Sequence, residues 1–228
     1  MRSGSETAET RTSQKVNSRT AQVDAARIVD ASVEILTDRG LDALSIRSVA
    51  SHLGLSPMSI YRYVESKSDL LDAVVLRILD RMEIPQSFAE GWSERIVVTM
   101  TAWRDLLLAN PSVIPILVDR PIPAGSEGLA RIEENILANL EVAGITGDAG
   151  VQAFWQIFTL TFGQVVFELP RRQLREEDMD DYAASMSSIA RERGFVRVRE
   201  LAPKLVSMKG RGTFEQALFA LLRGLQSD

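Results

Sequence analysis

Residues 44–71 of the chain read LSIRSVASHLGLSPMSIYRYVESKSDLL and show the clearest structural pattern in the sequence. It contains two short runs of helical spacing, and Gly54 separates them. Ser45 is a candidate N-cap of the first run. Ser56 and Pro57 begin the second run, since a hydroxyl caps a helix and proline fits its first position without losing a hydrogen bond. The pattern predicts a helix-turn-helix, in which the second helix is held across the first and can enter the major groove of DNA.

The second of these helices, predicted to extend to about Val64, carries side chains that suit DNA. Its hydroxyls, aromatic rings and guanidinium can contact phosphates or base edges. Cations at the starts of the neighbouring helices can each neutralise a phosphate. The predicted DNA-contacting residues are Ser45, Arg47, Ser56, Pro57, Met58, Ser59, Tyr61, Arg62, Tyr63 and Lys67. Spacing alone fits equally well two helices of an all-helical core with a solvated polar face, because short helical hairpins are common.

Helical spacing continues on both sides of this stretch. Upstream, a helix is predicted from about Val23 to the terminating Gly40. Downstream, Ser66 caps a fourth helix to about Met82, and Pro85 follows it. The predicted domains are a mobile, basic-leaning arm over 1–22, a helix-turn-helix domain over 23–82, and a larger helical ligand-binding and dimerisation domain over 91–228.

The rest of the chain shows helical periodicity and no convincing strand. Helices are predicted over 92–109, 112–118, 127–143, 148–169, 182–193, a piece before Pro203, and 214–225. Pro170 is expected to end the helix that Asp148 caps, and 171–181 to form a charged connector. Residues 195–199 alternate weakly, but so short a run without a partner cannot build a sheet. The predicted fold class is all-α, with a small N-terminal and a larger C-terminal helical domain.

Aromatic side chains at helical spacing in the C-terminal part can form the wall of an apolar ligand pocket. Polar side chains on neighbouring helices would orient the ligand. The predicted ligand-binding residues are Trp103, Asn135, Asn139, Trp155, Phe158, Thr159 and Phe162. The spacing of the aromatics by itself favours ordinary core packing.

Two helices of the C-terminal part are candidates for a dimer interface. The helix over 148–169 has polar and small residues opposite its aromatics, and the last helix is amphipathic. The predicted interface residues are Gln152, Gln156, Gly163, Phe214, Ala217, Leu218, Leu221, Leu222 and Leu225. Two such helices from each subunit can form a four-helix interface, or they complete a monomer core; the sequence leaves both open.

Several classes of function have no support in the sequence. The chain has no cysteine, which excludes disulfides, thiolate metal sites and cysteine nucleophiles. The one histidine, His52, lies in the helix-turn-helix, where a position facing solvent or near phosphate is expected. The carboxylates within 176–181 are ordinary partners of a helix N-terminus. Without a phosphate-binding glycine loop or a serine elbow, we expect no enzyme, no cofactor and no metal.

Neither export nor membrane insertion is expected. The chain starts with a polar segment that lacks the apolar core of a secretory signal. The most apolar stretch, 153–169, contains Gln156 and Gln164 and is shorter than the roughly 20 residues of a membrane span. We therefore expect a cytoplasmic protein without a membrane partner.

The quoted run resembles the DNA-binding domain of the TetR family of transcriptional regulators. The matching features are Val49-Ala50, Leu53-Gly54, Tyr61, Lys67 and Leu70-Leu71, with Gly40 at the end of the preceding helix. The resemblance is close over about 25–79 and looser beyond, where 214–225 fits best. It implies that Tyr61 and Lys67 contact the phosphate backbone. Family members often have a histidine where this chain has Tyr63, which leaves the base preference open.

The resemblance implies a repressor that releases its operator when a small apolar effector fills the C-terminal domain. The fourth helix would couple the two events. A single recognition helix contacts too few base pairs, so a homodimer on a near-palindrome with half-sites about 34 to 36 Å apart is expected. The C-terminal domain has no histidine, which disfavours a metal-bound tetracycline as the ligand. The alternatives are a structural DNA-binding protein without an effector, and a helical enzyme or carrier with a vestigial helix-turn-helix.

Overall fold

The computed structural model describes residues 24–86, 91–207 and 210–225, so the arm predicted over 1–22 lies outside the described residues. Eleven α-helices make up about three quarters of the described residues, and no strand occurs among them. The all-α prediction is confirmed. By its internal contacts the chain divides into two units between Arg77 and Ile78.

The first unit contains the helix-turn-helix. Its helices are α1 (Ala25–Arg39), α2 (Ile46–Leu53), α3 (Pro57–Ile60) and α4 (Lys67–Leu79), and α4 continues across the division between the units. α2 begins with a capping box: Ser45 Oγ accepts a hydrogen bond from the Ser48 amide at 3.1 Å, and Ser48 Oγ accepts one from the Ser45 amide at 2.9 Å. Gly54 ends α2 with a left-handed backbone (φ 69°), a conformation that glycine adopts without strain.

Two helices of this unit are shorter than predicted. α3 ends at Ile60 rather than near Val64. Residues 61–63 form a turn, in which the Tyr63 amide donates a hydrogen bond to the Ile60 carbonyl at 2.9 Å. α4 ends at Leu79, three residues before the predicted end at Met82. Buried apolar residues continue past both ends, which is why their periodicity suggested longer helices.

The second unit contains seven helices. They are α5 (Trp92–Ala109), α6 (Ile114–Asp119), α7 (Glu127–Val142), α8 (Gly147–Arg171), α9 (Glu176–Glu192), α10 (Val196–Ser207) and α11 (Arg211–Gly224). Helices α5, α7 and α8 pack on one another, α11 packs on α5 and α8, and together they enclose the core. Trp103, Met100, Ile136, Ile157 and Phe214 are completely buried there.

Several helix boundaries predicted for this unit, near prolines and near charged residues, differ from those in the structure. α8 continues through Pro170 to Arg171, and α10 contains Pro203, because a proline removes one backbone donor without ending every helix. The predicted charged connector is mostly helix: α9 already begins at Glu176, and its three acidic residues in the first turn favour a helix N-terminus. α8 starts at Gly147, so Asp148 lies inside the helix instead of capping it. α11 starts at Arg211, three residues before the predicted start.

A buried ion pair ties α5 to α8. Nη2 of Arg104 donates to both carboxylate oxygens of Glu168 at 2.8 and 2.7 Å, and the two side chains are 5% and 9% exposed. The guanidinium carbon of Arg104 also lies 5.7 Å from the ring centre of Phe214 in α11. Buried charges that are paired in this way are costly to separate, so the three helices are held in one arrangement.

The end of α4 is fixed to the start of α7. Oδ1 of Asp80 accepts hydrogen bonds from Ser126 Oγ at 3.1 Å and from the Gly128 amide at 3.0 Å. Nη2 of Arg131 donates to the carbonyls of Asp80 and Met82, each at 3.2 Å. A Cβ at position 128 would overlap the carbonyl of Leu79, so only glycine allows this approach. These contacts, which we call the α4–α7 junction, hold the end of α4 and the residues after it against the start of α7.

Candidate DNA interface and ligand cavity

α3 and the turn that follows it present polar and aromatic side chains on the surface. Met58 is 73% exposed, Tyr61 46% and Tyr63 44%, whereas Ile60 is completely buried and anchors the helix. Ser56 caps α3 by accepting from the Ser59 amide at 3.3 Å. The large exposed side chains therefore lie on a short helix and on the turn after it, and the buried Ile60 anchors this segment.

The other predicted DNA-contacting residues surround α3 in the sequence. Eight of the ten are exposed and two are half-buried; the exposed ones are Arg47, Ser56, Pro57, Met58, Tyr61, Arg62, Tyr63 and Lys67, and the half-buried ones are Ser45 and Ser59. Residues 45–67 contain three cations (Arg47, Arg62 and Lys67) and one carboxylate (Glu65), although the whole chain has a net charge of −5. This local excess of positive charge suits a phosphate backbone.

His52 is exposed, and its Nε2 lies 3.1 Å from Oε2 of Glu34 in α1. It thus links α2 to α1 at the surface. This position matches the expectation that His52 faces solvent. Among the described residues, no group of three histidine, aspartate or glutamate side chains could hold a metal ion.

An apolar cavity of about 520 Å³ lies in the second unit, within the size range of small-molecule sites. It is bounded by α8, by the first half of α7, and by the end of α6 with the segment after it. Its walls are Leu117, Arg120, Pro121, Ile122, Leu129, Glu133, Phe154, Trp155, Phe158, Thr159 and Phe162. Four of the predicted ligand-binding residues, Trp155, Phe158, Thr159 and Phe162, are in this wall.

The aromatic rings of α8 form one cluster on the wall of the cavity. Phe154 and Phe158 are stacked, with ring centres 5.8 Å apart and an interplanar angle of 26°. Trp155 meets Phe158 edge to face, at 5.9 Å and 83°. Such surfaces favour flat aromatic ligands, which can stack on one ring and contact the edge of another. Arg120, Glu133 and Thr159 add a cation, an anion and a hydroxyl to the lining.

Three predicted ligand-binding residues do not line this cavity. Trp103 is completely buried behind Phe158, with ring centres 5.8 Å apart. Asn135 accepts from Thr99 Oγ1 at 2.8 Å, and Asn139 accepts from Arg95 Nε at 2.6 Å. These asparagines serve the contact between α5 and α7. Polar residues that join two helices and polar residues that orient a ligand both face the interior, so their helical spacing in the sequence is the same.

The sequence did not reveal the cavity wall outside α8. Leu129 and Glu133 are one turn apart on α7, and that spacing was a usable signal. Arg120, Pro121 and Ile122 lie between helices, where no periodicity identifies a wall residue.

Of the nine residues predicted for the dimer interface, six are exposed or half-buried and three lie in the core of the chain. Gln152, Gln156 and Gly163 of α8 are exposed, and Ala217, Leu221 and Leu225 are half-buried. Phe214, Leu218 and Leu222 are 0%, 0% and 1% exposed, so they fill the core of the single chain and are not available to a second one. For these three the prediction is corrected: the core-facing stripe of α11 has the spacing that an interface would have.

Two shallow grooves run along α8 and α11 and share Thr159 and Leu160. Together they are lined by Trp155, Gln156, Thr159, Leu160, Gly163, Gln164, Phe167, Glu168, Thr213, Ala217 and Leu221. Trp155 and Phe167 are 57% and 59% exposed on this surface. Trp155, which the sequence predicts for the ligand site, therefore borders this surface as well as the cavity.

No helix in the described part of the chain is long and apolar enough to cross a membrane. An exposed helix-turn-helix together with a larger helical unit is the architecture of a DNA-binding transcriptional regulator.

Comparison with known proteins supports this class. The model of the tetR family of bacterial regulatory proteins matches residues 28–74, and that of the tetracyclin repressor-like C-terminal domain matches residues 84–228, more than half of the chain. The chain belongs to the TetR family of transcriptional regulators.

Named relatives agree with the family. The HTH-type transcriptional repressor DrrR1 of Streptomyces coeruleorubidus is 32% identical over 134 residues, which are 58% of this chain and 48% of that protein. An HTH-type transcriptional regulator of Saccharopolyspora erythraea is 34% identical over 127 residues, 56% of this chain and 52% of the relative. The chain thus spans about half the length of the curated relatives it matches.

The fold resembles that of ActR, a TetR family protein of Streptomyces coelicolor. The structure of ActR in complex with actinorhodin has a TM-score of 0.78 and 27% identity, and covers 90% of this chain and 96% of ActR. The complex of ActR with (S)-DNPA has a TM-score of 0.77 and 26% identity, and covers 90% of this chain and 98% of ActR.

Proposed function

We propose that the protein is a homodimeric, ligand-responsive repressor that binds a palindromic operator in the cytoplasm and releases it when a small, largely apolar effector binds. The observation that carries this proposal is the exposed cluster of side chains on α3 and the turn after it, within a helix-turn-helix. Met58, Tyr61 and Tyr63 are exposed rather than buried in the core. A surface with an apolar side chain and two aromatic rings beside cations suits contact with bases and phosphates.

The ten DNA-contacting residues predicted from the sequence remain our proposal for the interface. Within it, Lys67 and Arg47 would contact phosphate, because they stand in the first turns of α4 and α2, where backbone amides also point outward. Met58 would contact base edges or thymine methyl groups, because it is apolar and 73% exposed.

The effector site is proposed to be the apolar cavity. A flat aromatic molecule would contact Phe154, Trp155 and Phe158, and its polar groups would meet Arg120, Glu133 or Thr159. That ActR has been crystallised with actinorhodin and with (S)-DNPA supports a small-molecule effector for this chain.

The α4–α7 junction offers a route from the cavity to the DNA-binding unit. Leu129 and Glu133 line the cavity, while Gly128 and Arg131 of the same helix hold residues 79–82. A ligand that moves the first turns of α7 therefore moves the end of α4. The effector acts only if it binds the released form of the dimer better than the operator-bound form.

Dimerisation is proposed through the α8–α11 surface that the two grooves follow. Its exposed members Gln152, Gln156 and Gly163 lie on one side of α8, and the half-buried Ala217 and Leu221 lie beside them on α11. Two copies of this pair of helices would form the four-helix interface.

Operator selection tests the proposal. The protein is incubated with random duplex DNA at a fixed, stated salt concentration, because the phosphate contribution depends strongly on salt, and the retained DNA is sequenced. We expect a near-palindrome whose half-sites are one helical turn apart. Tyr61→Ala combined with Lys67→Ala is the matched variant and should retain no preferred sequence. Absence of enrichment with the wild-type chain would favour a vestigial helix-turn-helix.

A second experiment separates a repressor that responds to an effector from a structural DNA-binding protein. Actinorhodin is titrated onto the protein–operator complex and, separately, onto the protein without DNA. Binding that weakens operator affinity supports the proposal. Binding that leaves operator affinity unchanged, or no binding by any flat aromatic compound, supports the structural alternative.

A further inference from the structure

The α9–α10 pair forms a helical hairpin that belongs neither to the DNA interface nor to the cavity. Among the described helices, α9 and α10 have each other as their principal packing partner. The hairpin has a small core of its own, made of Met179, Ala183 and Val206 with Met186 packed against them. Two short helices on so small a core are marginal in water, because helices of this length depend on tertiary packing.

The hairpin exposes an unusual share of large apolar side chains. Six of them are between 45% and 59% exposed: Tyr182, Ile189, Phe195, Val196, Leu201 and Leu205. Apolar residues in such a group, bordered by charge, mark an interaction surface.

The two apolar stripes face the same side of the hairpin. On α9, Tyr182 and Ile189 are seven residues apart and each directly precedes a buried alanine. On α10, Leu201 and Leu205 are four residues apart and directly precede the buried Ala202 and Val206. The buried residues of the two antiparallel helices face each other. Residues that come one position before them in the sequence therefore point to the same side of the hairpin on both helices. This side is called the apolar hairpin face.

The charges of the hairpin are separated along its length. The end at the start of α9 carries five carboxylates within 175–181 and one cation, Arg175, a net charge of −4. The end at the turn carries four arginines within 191–200 and two glutamates, a net charge of +2. The apolar hairpin face lies between the two ends.

We propose that the apolar hairpin face binds the same face of a second copy of the chain, with the two hairpins antiparallel. In this orientation the acidic end of each hairpin meets the basic end of the other, whereas a parallel pairing would bring like charges together. A contact of this kind is two-fold symmetric and satisfies both ends at once. It is separate from the α8–α11 surface proposed for the dimer, and it goes beyond the function proposed above.

Ser185 lies at the midpoint of the apolar stripe of α9 and is exposed. Two copies related by the proposed two-fold axis would bring their residues 185 close together. Ala184, the preceding residue, is also exposed but points to the opposite side of α9. The chain contains no cysteine, so a single introduced thiol can be cross-linked without interference.

Disulfide formation by Ser185→Cys and by Ala184→Cys is compared in the full-length protein under mild oxidation. A disulfide needs Cα atoms within about 7 Å, so we expect Ser185→Cys to form a covalent pair and Ala184→Cys to remain single. Equal cross-linking of both variants, or none by Ser185→Cys, overturns the proposal. An unidentified protein joined to Ser185→Cys in a lysate, without pairing of the purified chain, also overturns it.

Charge reversal tests the antiparallel orientation. Asp181 stands at the acidic end and Arg193 at the turn, and both are exposed. Asp181→Lys and Arg193→Glu, each added to Ser185→Cys, should slow cross-linking roughly threefold or more, and their combination should restore most of the rate. Leu201→Asp should slow it at least about tenfold. Failure of the combined reversal to restore cross-linking refutes the orientation.

Operator selection separates this proposal from the function proposed above. If Leu201→Asp abolishes cross-linking and the protein still selects its operator, the hairpin contact and the DNA-reading dimer are distinct, as proposed. If the protein selects an operator but Ser185→Cys never cross-links, the hairpin contact is wrong and the function stands. If Ser185→Cys cross-links and no operator is selected, the hairpin contact stands and the function is wrong.

Discussion

Substitution of Gly128 by alanine is expected to damage the α4–α7 junction. The added Cβ would overlap the carbonyl oxygen of Leu79 and would lie 2.8 Å from its carbonyl carbon and 3.0 Å from the Cα of Asp80. All three atoms belong to the backbone, so no side-chain rotation relieves the clash. Overpacking of this kind costs about 1 to 3 kcal/mol, and moving α4 away also weakens the hydrogen bonds of Asp80, worth about 1 kcal/mol or more.

The expected loss of stability is therefore about 2 to 4 kcal/mol. For a chain of this size, each kcal/mol corresponds to a decrease in Tm of about 2 to 4 °C, so Gly128→Ala should melt roughly 5 to 15 °C lower. Gly212→Ala is the matched control, because Gly212 is likewise the second residue of its helix and a Cβ there meets nothing within 4 Å. In that open position alanine should be neutral or stabilising by about 0.4 to 1 kcal/mol.

Calorimetry or denaturant unfolding of both variants gives the answer. A second comparison uses Asp80→Ala, alone and combined with Gly128→Ala. The losses should be less than additive, because the clash already weakens the bonds that Asp80 makes. A Gly128→Ala protein as stable as the Gly212→Ala control would refute the description of the junction.

Three further predictions test the other parts of the molecule. Lys67→Ala should weaken binding to all duplexes by a similar factor and reduce the slope of log affinity against log salt by about 1, as measured by anisotropy titrations; a loss confined to certain sequences would contradict its assignment to phosphate. Under the proposed function, Phe158→Leu should weaken binding of a flat aromatic compound that the wild-type chain binds roughly 3- to 10-fold in calorimetric titrations while operator affinity is retained, and unchanged binding would remove Phe158 from the proposed site. Arg104→Met should destabilise the fold by about 3 kcal/mol in guanidinium unfolding, at the lower end for a broken buried pair because Arg172 lies 4.0 Å from Glu168. Adding Glu168→Leu should recover most of that loss, and a double variant that is less stable than Arg104→Met would contradict the pairing.

The DNA-binding unit could be predicted from sequence because its signals are local. Caps such as Ser45 and Ser56 and the terminating Gly54 act within a few residues of where they stand, and the structure shows each in that role. The end of α3 could not be predicted in this way. The residues after Ile60 are compatible with a helix, but they form a turn, and Val64 is buried without being part of a helix.

The second unit could be predicted less well because its decisive contacts are distant in sequence. Arg104 and Glu168 pair across 64 positions, and Asn139 meets Arg95 across 44. Periodicity shows that a residue faces inward, but it does not tell whether the interior there is a cavity, a polar contact or a packed core. This is why Asn139 was assigned to a ligand and Phe214 to a second chain.

The tryptophans of the aromatic cluster have a practical consequence. Trp103 is completely buried and Trp155 is 57% exposed, yet the ring centre of Phe158 lies within 6 Å of both, at 5.8 and 5.9 Å. A compound that enters the cavity covers the indole of Trp155 and shifts its fluorescence to shorter wavelength, while the emission of Trp103 is already that of an apolar environment. Under the proposed function, emission wavelength would report effector binding without a label, so a compound library can be screened before any operator is known.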